Sequence, residues 1–548
     1  MSYRYDPVRS STDGVLRWQE DEGEAPSRSK LYLLCLTISM GGLQVVWATV
    51  MAEGSSFLIS LGLQPSVISL TWLAGPICGT LLQPYIGYKS DFCTHRSGRR
   101  RPFMIYGTLA TIICINLLAW TSEIIRLISH VLGASAHGLG SKFVIQVLAI
   151  ALVWALNIAI QPVQSSIRAL IVDACLDSQA AQANSFASFA VIVGSAIGYG
   201  CGFIEMPKVA EWFHDPQFKG LSLIASVSLG VTIVITSTMV EEKPVDSDAA
   251  EYERSGVLQI WREIWKAIRT LPSTIKTICM VQFFAWLAWF PFLFNNVFYP
   301  MNENHHHALL IDLDEAQILL EKMGPTSTRF YNALKEQSIR HAVLAMLVFS
   351  IVALGVNLCL PYLITNTSSP LELEWEKTAG VADAISRSPG VGKRKIPRGL
   401  TLPRAWMISH IITALALFGA TIGNSFMTSV SFISLLGISW TLTQWAPFAL
   451  ISAEIASSSD SISSDIEECP SDQSGASKIV DLRPRAGVTM AIHNVAIATP
   501  QMFSAVVTAL IFWICGQLGV GETDATRWVL RVGILAACCA AWTAGKLW

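Results

Sequence analysis

The chain has 548 residues, of which 52% are apolar and 14% charged, with a mean hydropathy of +0.46 and a formal net charge of −2. A soluble protein has about a quarter of its residues charged, so this composition excludes an ordinary globular enzyme. A charge so close to balance, spread over many segments, says nothing of nucleic acid, and no such partner is expected.

A membrane crossing needs about 20 mostly apolar residues. Twelve such runs occur, at 31–52, 66–88, 103–120, 143–163, 185–204, 221–240, 275–299, 341–364, 404–423, 427–452, 488–513 and 527–545. The first follows a polar, charged stretch, 1–30, instead of the basic region and brief apolar core of a cleavable signal. The N-terminus is therefore expected to be retained and cytoplasmic, with the C-terminus on the same side. On that orientation 28 of the 38 Lys and Arg residues, with Lys276 and Arg404 at the ends of their runs included, fall on the inside, as the positive-inside rule requires.

Four stretches are too polar to span: 1–30, 241–274, 365–403 and 453–486. All face the cytoplasm. The central loop, 241–274, divides the chain into a six-helix half over 31–240 and another over 275–548, the boundary pattern of two pseudo-repeated halves. Within it, Leu258 to Lys266 is amphipathic and suited to lying along a membrane surface. The Ser/Asp-rich 453–486 loop, low in complexity around Ser457, is expected to be disordered and open to phosphorylation. Outside, His305, His306 and His307 and the acidic stretch from Asp312 to Lys322 read as a solvated loop, and a sequon at Asn366 falls inside, where it goes unused. Most of the 12 cysteines lie in apolar runs and read as packing residues, not a disulfide framework.

The sharpest local signal is Gly87-Tyr-Lys-Ser-Asp91-Phe-Cys-Thr-His-Arg96-Ser-Gly98-Arg99-Arg100-Arg101-Pro102, between the second and third runs. An acid at a helix end followed by an arginine cluster allows charge-assisted contacts with neighbouring helix ends. Asp91, Arg96, Arg99, Arg100 and Arg101 are thus candidates for an inner gate, with ordinary inside-positive anchoring as the alternative.

Arg168 and Asp173 are five residues apart, about 140° around a helix, so they cannot face each other directly. Each needs another partner. Arg168 either holds a ligand hydroxyl, alternates between carboxylates, or forms a structural gate pair; Glu454 is one possible partner or a loop acid. Glu53 closes the first run, but apolar character resumes at Phe57, so the helix can continue and hold the acid inside the outer third, a position for picking up protons.

Hydroxyl-rich ligands need amide donors and acceptors and aromatic faces. Gln44, Asn157, Gln161, Gln164, Gln282, Asn295, Gln444, Asn494 and Gln501 supply amides within or beside spans, and Trp286, Trp289, Trp440 and Trp445 supply faces. Helix packing is the competing reading for each. Close helix approach is the reading for Gly194, Gly198 and Gly202. No nucleotide-binding loop or metal-cysteine pattern occurs, so no cofactor or metal is expected and coupling is left to an ion gradient or to none.

Trp72-Leu-Ala-Gly-Pro-Ile-Cys-Gly-Thr-Leu-Leu-Gln-Pro-Tyr-Ile-Gly, running into the arginine cluster, resembles the second and third helices of the sucrose transporters of plants and fungi. Arg168-Ala-Leu-Ile-Val-Asp173, Ala183-Asn184-Ser-Phe, Ala288-Trp-Phe-Pro-Phe-Leu and Asn494-Val-Ala-Ile-Ala-Thr-Pro-Gln501 follow in order, so the resemblance covers nearly all of 31–545 and is closest to a fungal member. It implies an all-α major facilitator fold of twelve helices and proton-coupled symport of sucrose or another α-glucoside such as maltose. One departure stands out. The plant members carry an aspartate eleven residues before the arginine matched by Arg168, and here that position is Asn157, an amide that carries no proton. Glu53 resembles the acidic position of animal relatives and is the substitute, with Asp173 and Glu454 as further proton-coupling candidates. The expected protein is a monomer in the plasma or vacuolar membrane whose partners are a disaccharide, protons and lipid. A gradient-independent facilitator and a non-transporting sugar sensor are the alternatives.

Overall fold

Backbone groups inside hydrocarbon have no water to bond, which drives an apolar chain into helices. A computed structural model of the chain describes residues 28–133, 138–176, 179–204, 217–242, 256–295, 325–364, 400–422, 426–468 and 486–547, and these are helical almost throughout. The elements are α1 (Lys30–Ser60), α2 (Pro65–Trp72), α3 (Ala74–Asp91), α4 (Arg101–Ala119), α5 (Thr121–Val131), α6 (Leu139–Ala174), α7 (Ala180–Phe203) and α8 (Gln217–Met239). Then follow α9 (Val257–Thr270), α10 (Ser273–Asn295), α11 (Pro325–Leu363), α12 (Leu402–Ile422), α13 (Phe426–Glu468), α14 (Ala486–Gln517) and α15 (Glu522–Ala544).

Among the described residues, ten helices are long and apolar enough to cross a membrane. The two expected runs outside that set, 66–88 and 427–452, are helical as well, as α2–α3 and as part of α13. The first is not continuous as the hydropathy suggests, because the helix breaks at Leu73. α3 and α13 fall short in apolar character because they carry glutamines, glycines and hydroxyls on their inner faces. The chain is a multi-pass membrane protein, with a lipid-facing surface of exposed Leu109, Ile113, Val231, Leu415 and Leu510.

The helices pack in two groups. α1, α3, α4, α6, α7 and α8 pack among themselves, as do α10 to α15, and the groups meet along α3–α14, α6–α14, α7–α11 and α7–α13. Small residues set how closely the helices approach. A Cβ on Gly194 would lie 2.3 Å from the Gly41 carbonyl oxygen and one on Gly198 would lie 2.4 Å from the Ala48 Cβ, so α1 and α7 meet backbone to backbone. Polar bonds add to the α7 seam. Asn184 Nδ2 donates to Ser452 Oγ at 3.2 Å, Trp445 Nε1 to the Ala181 carbonyl at 2.9 Å and Asn357 Nδ2 to Ser188 Oγ at 3.0 Å.

Two expectations change. The 453–486 loop does not begin at 453, since α13 continues as helix through Glu468; a helix already anchored in the bundle propagates at little cost past serines and acids that would not nucleate one. Residues 469–485, the histidine run at 305–307, the stretch 312–322 and Asn366 lie outside the described residues. The amphipathic central segment is a helix, α9, but one stripe of its apolar residues packs on protein instead of lying open. Ile260 and Ile264 are buried against Tyr88 and Phe92 of α3 and Val488 and Ile492 of α14. Leu258 and Trp265 point outward, 88% and 56% exposed. α9 thus straps two helices belonging to different groups.

Each buried isoleucine contributes about 1.5–3 kcal/mol, and a carboxylate in its place is not tolerated in an apolar seat. The double variant Ile260→Asp, Ile264→Asp is expected to free α9 from the bundle. Limited proteolysis of the detergent-solubilised protein should cut within 256–270 more than about tenfold faster than in wild type, with the helix content by circular dichroism otherwise retained.

Candidate functional site

α6 has 36 residues and is about 54 Å long, well beyond a hydrocarbon core of about 30 Å. Its end therefore projects past the apolar layer and carries Asp173 to the bundle's edge. There Arg100, the residue before α4, is fully buried. Its Nε donates to Asp173 Oδ2 at 2.9 Å, its Nη1 to Ser90 Oγ and its Nη2 to Asp91 Oδ1. Arg99 adds a second bond to Asp173 at 2.8 Å. Burial opposes the charge on Arg100, but Asp173 and Asp91 more than offset it and hold the guanidinium ionised above its ordinary range.

Asp91 also reaches across to the other helix group. Its two oxygens accept from the backbone N–H groups of Gly487 at 3.1 Å and Val488 at 2.9 Å. These are first-turn donors of α14, without intrahelical partners and at the positive end of the helix dipole. Gly487 is required by space, because a Cβ there would lie 2.5 Å from Asp91 Oδ1 and 2.7 Å from the Gly87 carbonyl oxygen. Glu242 completes the assembly by accepting from the backbone N–H groups of Arg100 and Arg101 at 2.9 and 3.0 Å, capping α4. Asp91, Arg99 and Arg100 thus form one latch and Arg101 pairs with Glu242 at 3.6 Å, whereas Arg96 is exposed and outside the network.

Between the groups lies a cavity of about 230 Å³, on the scale of a small-molecule site. Gln44, Asn157, Gln161, Gln164, Arg168, Gln282, Trp286, Trp440, Gln444, Asn494 and Gln501 all line it. Within helices, prolines stand beside lining residues in Gln83-Pro84, Gln161-Pro162, Phe290-Pro291, Pro447-Phe448 and Pro500-Gln501. A proline has no N–H to give its helix, so α3, α6, α10, α13 and α14 each forgo a backbone bond where they border the cavity.

The amides bond across the group boundary. Gln164 accepts from Trp47 Nε1 at 3.3 Å and donates to Asn494 Oδ1 at 3.3 Å, while Asn494 Nδ2 donates to the Gly79 carbonyl at 3.3 Å. Arg168 donates to Gln444 Oε1 at 3.4 Å, its guanidinium lies 3.5 Å from the centre of the Phe448 ring, and its Nη1 has no hydrogen-bond partner. Unspent capacity recurs at Gln161 Oε1, Gln282 Oε1, Trp286 Nε1, Trp440 Nε1 and His493 Nδ1. Such a wall offers donors and acceptors for several hydroxyls and indole faces for an apolar ring side.

Other candidates stand elsewhere. Trp289 is buried in an aromatic cluster with Trp440 at 5.1 Å and Phe292 at 6.0 Å, away from the cavity, and Trp445 holds the α7 seam. The side chain of Asn295 lies outside the described residues. None of the acids lines the cavity. Glu53 is half-buried two residues beyond Met51, the last α1 residue on the wall; Asp173 belongs to the latch; Glu454 bonds Thr274. Sequence reasoning passed over His493, whose Nε2 lies 3.3 Å from Gln282 Nε2 and whose ring meets Phe448 edge-on at 4.9 Å. Its one signal was adjacency to Asn494. Trp47, Trp72, Gln83 and Tyr199 also line the cavity without having been singled out for it.

No family model matches the chain. The general alpha-glucoside permease of Schizosaccharomyces pombe is 28% identical over 581 aligned residues, 97% of this chain and 97% of that protein. A sucrose transport protein of rice, Oryza sativa subsp. indica, is 28% identical over 288 residues, 50% of this chain and 53% of its own length, so the chain spans about half of that relative. A bacterial homologue of the iron transporter ferroportin, in its outward-facing state, aligns with a TM-score of 0.50 at 12% identity, covering 94% of this chain and 98% of that one. That likeness bears on fold alone, an all-α bundle of membrane-crossing helices.

Removing one partner of a buried ion pair costs about 3–5 kcal/mol. Asp91→Ala leaves Arg100 half-compensated and also strips two bonds from α14, so thermal unfolding of the purified protein should show a loss of that order. Gly487→Ala, which keeps every charge, is expected to cost less than Asp91→Ala. Equal unfolding temperatures for wild type and Asp91→Ala would remove the latch from the account of stability.

Proposed function

We propose that this chain, a homologue of the α-glucoside and sucrose permeases with the major facilitator fold and not an enzyme, carries sucrose or a related α-glucoside such as maltose across the plasma membrane, coupled to protons. The observation that carries the reading is the cavity between the two helix groups, walled by amides, indoles and Arg168 and closed at one end by the Asp91–Arg100–Asp173 latch. Sugar in the cavity exchanges hydroxyl contacts for the amide bonds that tie the groups together. Opening then requires Asp91 to release the first turn of α14. The latch end is taken as cytoplasmic, with both termini on that side and the protein acting as a monomer.

Arg168 is the ligand-binding cation in this reading. Lysine keeps the charge but lacks the planar fork that holds two oxygens at once. Arg168→Lys is expected to lose most uptake of radiolabelled maltose or sucrose, at least about tenfold, while reaching the membrane in wild-type amount. Near-normal uptake would overturn the assignment.

Glu53 is the proposed proton carrier, since position 157 is an amide. Glu53→Gln resembles the permanently protonated acid and should abolish accumulation against a gradient at external pH 5 relative to pH 7, yet spare counterflow. Wild-type pH dependence in this variant would exclude Glu53 and turn attention to Asp173 and Glu454. A gradient-independent facilitator is the second reading, favoured by one observation, that none of the described cavity-lining residues is acidic. Maltose uptake without a proton current in a heterologous cell would select it.

A further inference from the structure

The cavity is electrically uneven. Arg168 is the one permanently charged side chain among the described lining residues, and none of them is a carboxylate. At position 157 there is an amide whose Nδ2 donates to the Val153 carbonyl at 2.9 Å. The nearest acid along α6, Asp173, is occupied by Arg99 and Arg100. What Arg168 does have is the face of Phe448 and a long contact to Gln444, while Nη1 is left without a hydrogen-bond partner. A guanidinium held away from bulk water without a counter-ion is costly, and the group that relieves it best is a carboxylate, which matches its fork with two parallel bonds. His493, edge-on to the Phe448 ring, brings no negative charge to compete.

We propose that the cavity also accepts monoanionic glycosides, disaccharides in which one unit is an aldonic or uronic acid, with the carboxylate seated on Arg168 and the hydroxyls on the surrounding amides. The proposal rests on the reading of the cavity as an α-glucoside site. A neutral glucoside offers Arg168 only hydroxyl oxygens. The anion offers the same hydroxyls and neutralises the site's one fixed charge.

Two commercial analogues isolate that difference. Maltobionate and maltitol share the glucosyl unit and the open-chain partner, and differ in a carboxylate against a hydroxymethyl group. With purified wild-type protein in proteoliposomes preloaded with maltose, counterflow of radiolabelled maltose is measured against each competitor. Maltobionate should half-inhibit at a concentration at least about tenfold below maltitol, equivalent to about 1.4 kcal/mol, and radiolabelled maltobionate should itself be exchanged for internal maltose. In Arg168→Gln the ratio between the two competitors should fall to about one, whatever happens to overall affinity, whereas a merely structural role would weaken both equally and keep the ratio. If that variant fails to insert, the wild-type ratio decides alone. Maltose counterflow with maltitol inhibiting as well as maltobionate would overturn the proposal and leave the glucoside reading standing. Preference for maltobionate that persists in Arg168→Gln would overturn the seat at Arg168. No maltose counterflow at all would overturn the glucoside reading and the proposal with it.

Discussion

A guanidinium with no exposed surface must be surrounded by negative charge or it will not stay, and Arg100 meets that demand with Asp91 on one side and Asp173 on the other. Much else follows from satisfying this one ion. Asp91 is fixed at the end of α3, where its remaining lone pairs reach the open turn of α14. Asp173 ties down the last turn of α6, and Glu242, drawn to the start of α4, fixes the chain leaving α8. The α9 strap then covers the α3–α14 crossing with Ile260 and Ile264. Desolvating that crossing strengthens the charge contacts beside it, so apolar strap and ionic latch reinforce each other.

One helix serves both latch and cavity. Arg168 and Asp173 lie about 7.5 Å apart along the α6 axis and about 140° apart around it, which turns one toward the ligand space and the other toward the ion network. The two arginine environments are opposites: Arg100 has more anionic oxygen than it needs, Arg168 has none. A rigid segment of five residues joins them. In the proposed transport cycle, a ligand that drew this segment of α6 toward itself through Arg168 would also shift Asp173 relative to Arg99 and Arg100, a short mechanical connection between filling the cavity and loosening its floor.

The spans were legible because bilayer thickness dictates their length, and the latch because an acid-then-arginine run at a helix end has few other uses. Amide lining was legible in kind: most of the singled-out glutamines and asparagines do converge on the cavity. What could not be read was orientation. Trp286 and Trp289 are three residues apart on α10, yet one lines the cavity and the other is a packing residue for Trp440, since neighbouring helices decide which flank of a helix is the wall. His493 went unnoticed for the same reason. The end of α13 was misjudged because composition reports whether a segment nucleates a helix, not whether an anchored one will run on through it. The sequence also suggested that α9 lies along the membrane surface; Ile260 and Ile264 pack on protein, while Leu258, Trp261 and Trp265 stay exposed.

The far side of the latch is made of peptide N–H groups at Gly487 and Val488. Every residue except proline carries that donor, so apart from the size limit at 487 the identity of these positions is irrelevant to the bond they make. Asp91 alone bears the side-chain half of the contract. A comparison of many related sequences that searched for correlated changes would find no pairing between position 91 and positions 487 and 488, although they are in direct contact. This seam between the helix groups would be silent to coevolution, and the absence of a signal there would be a consequence of its chemistry.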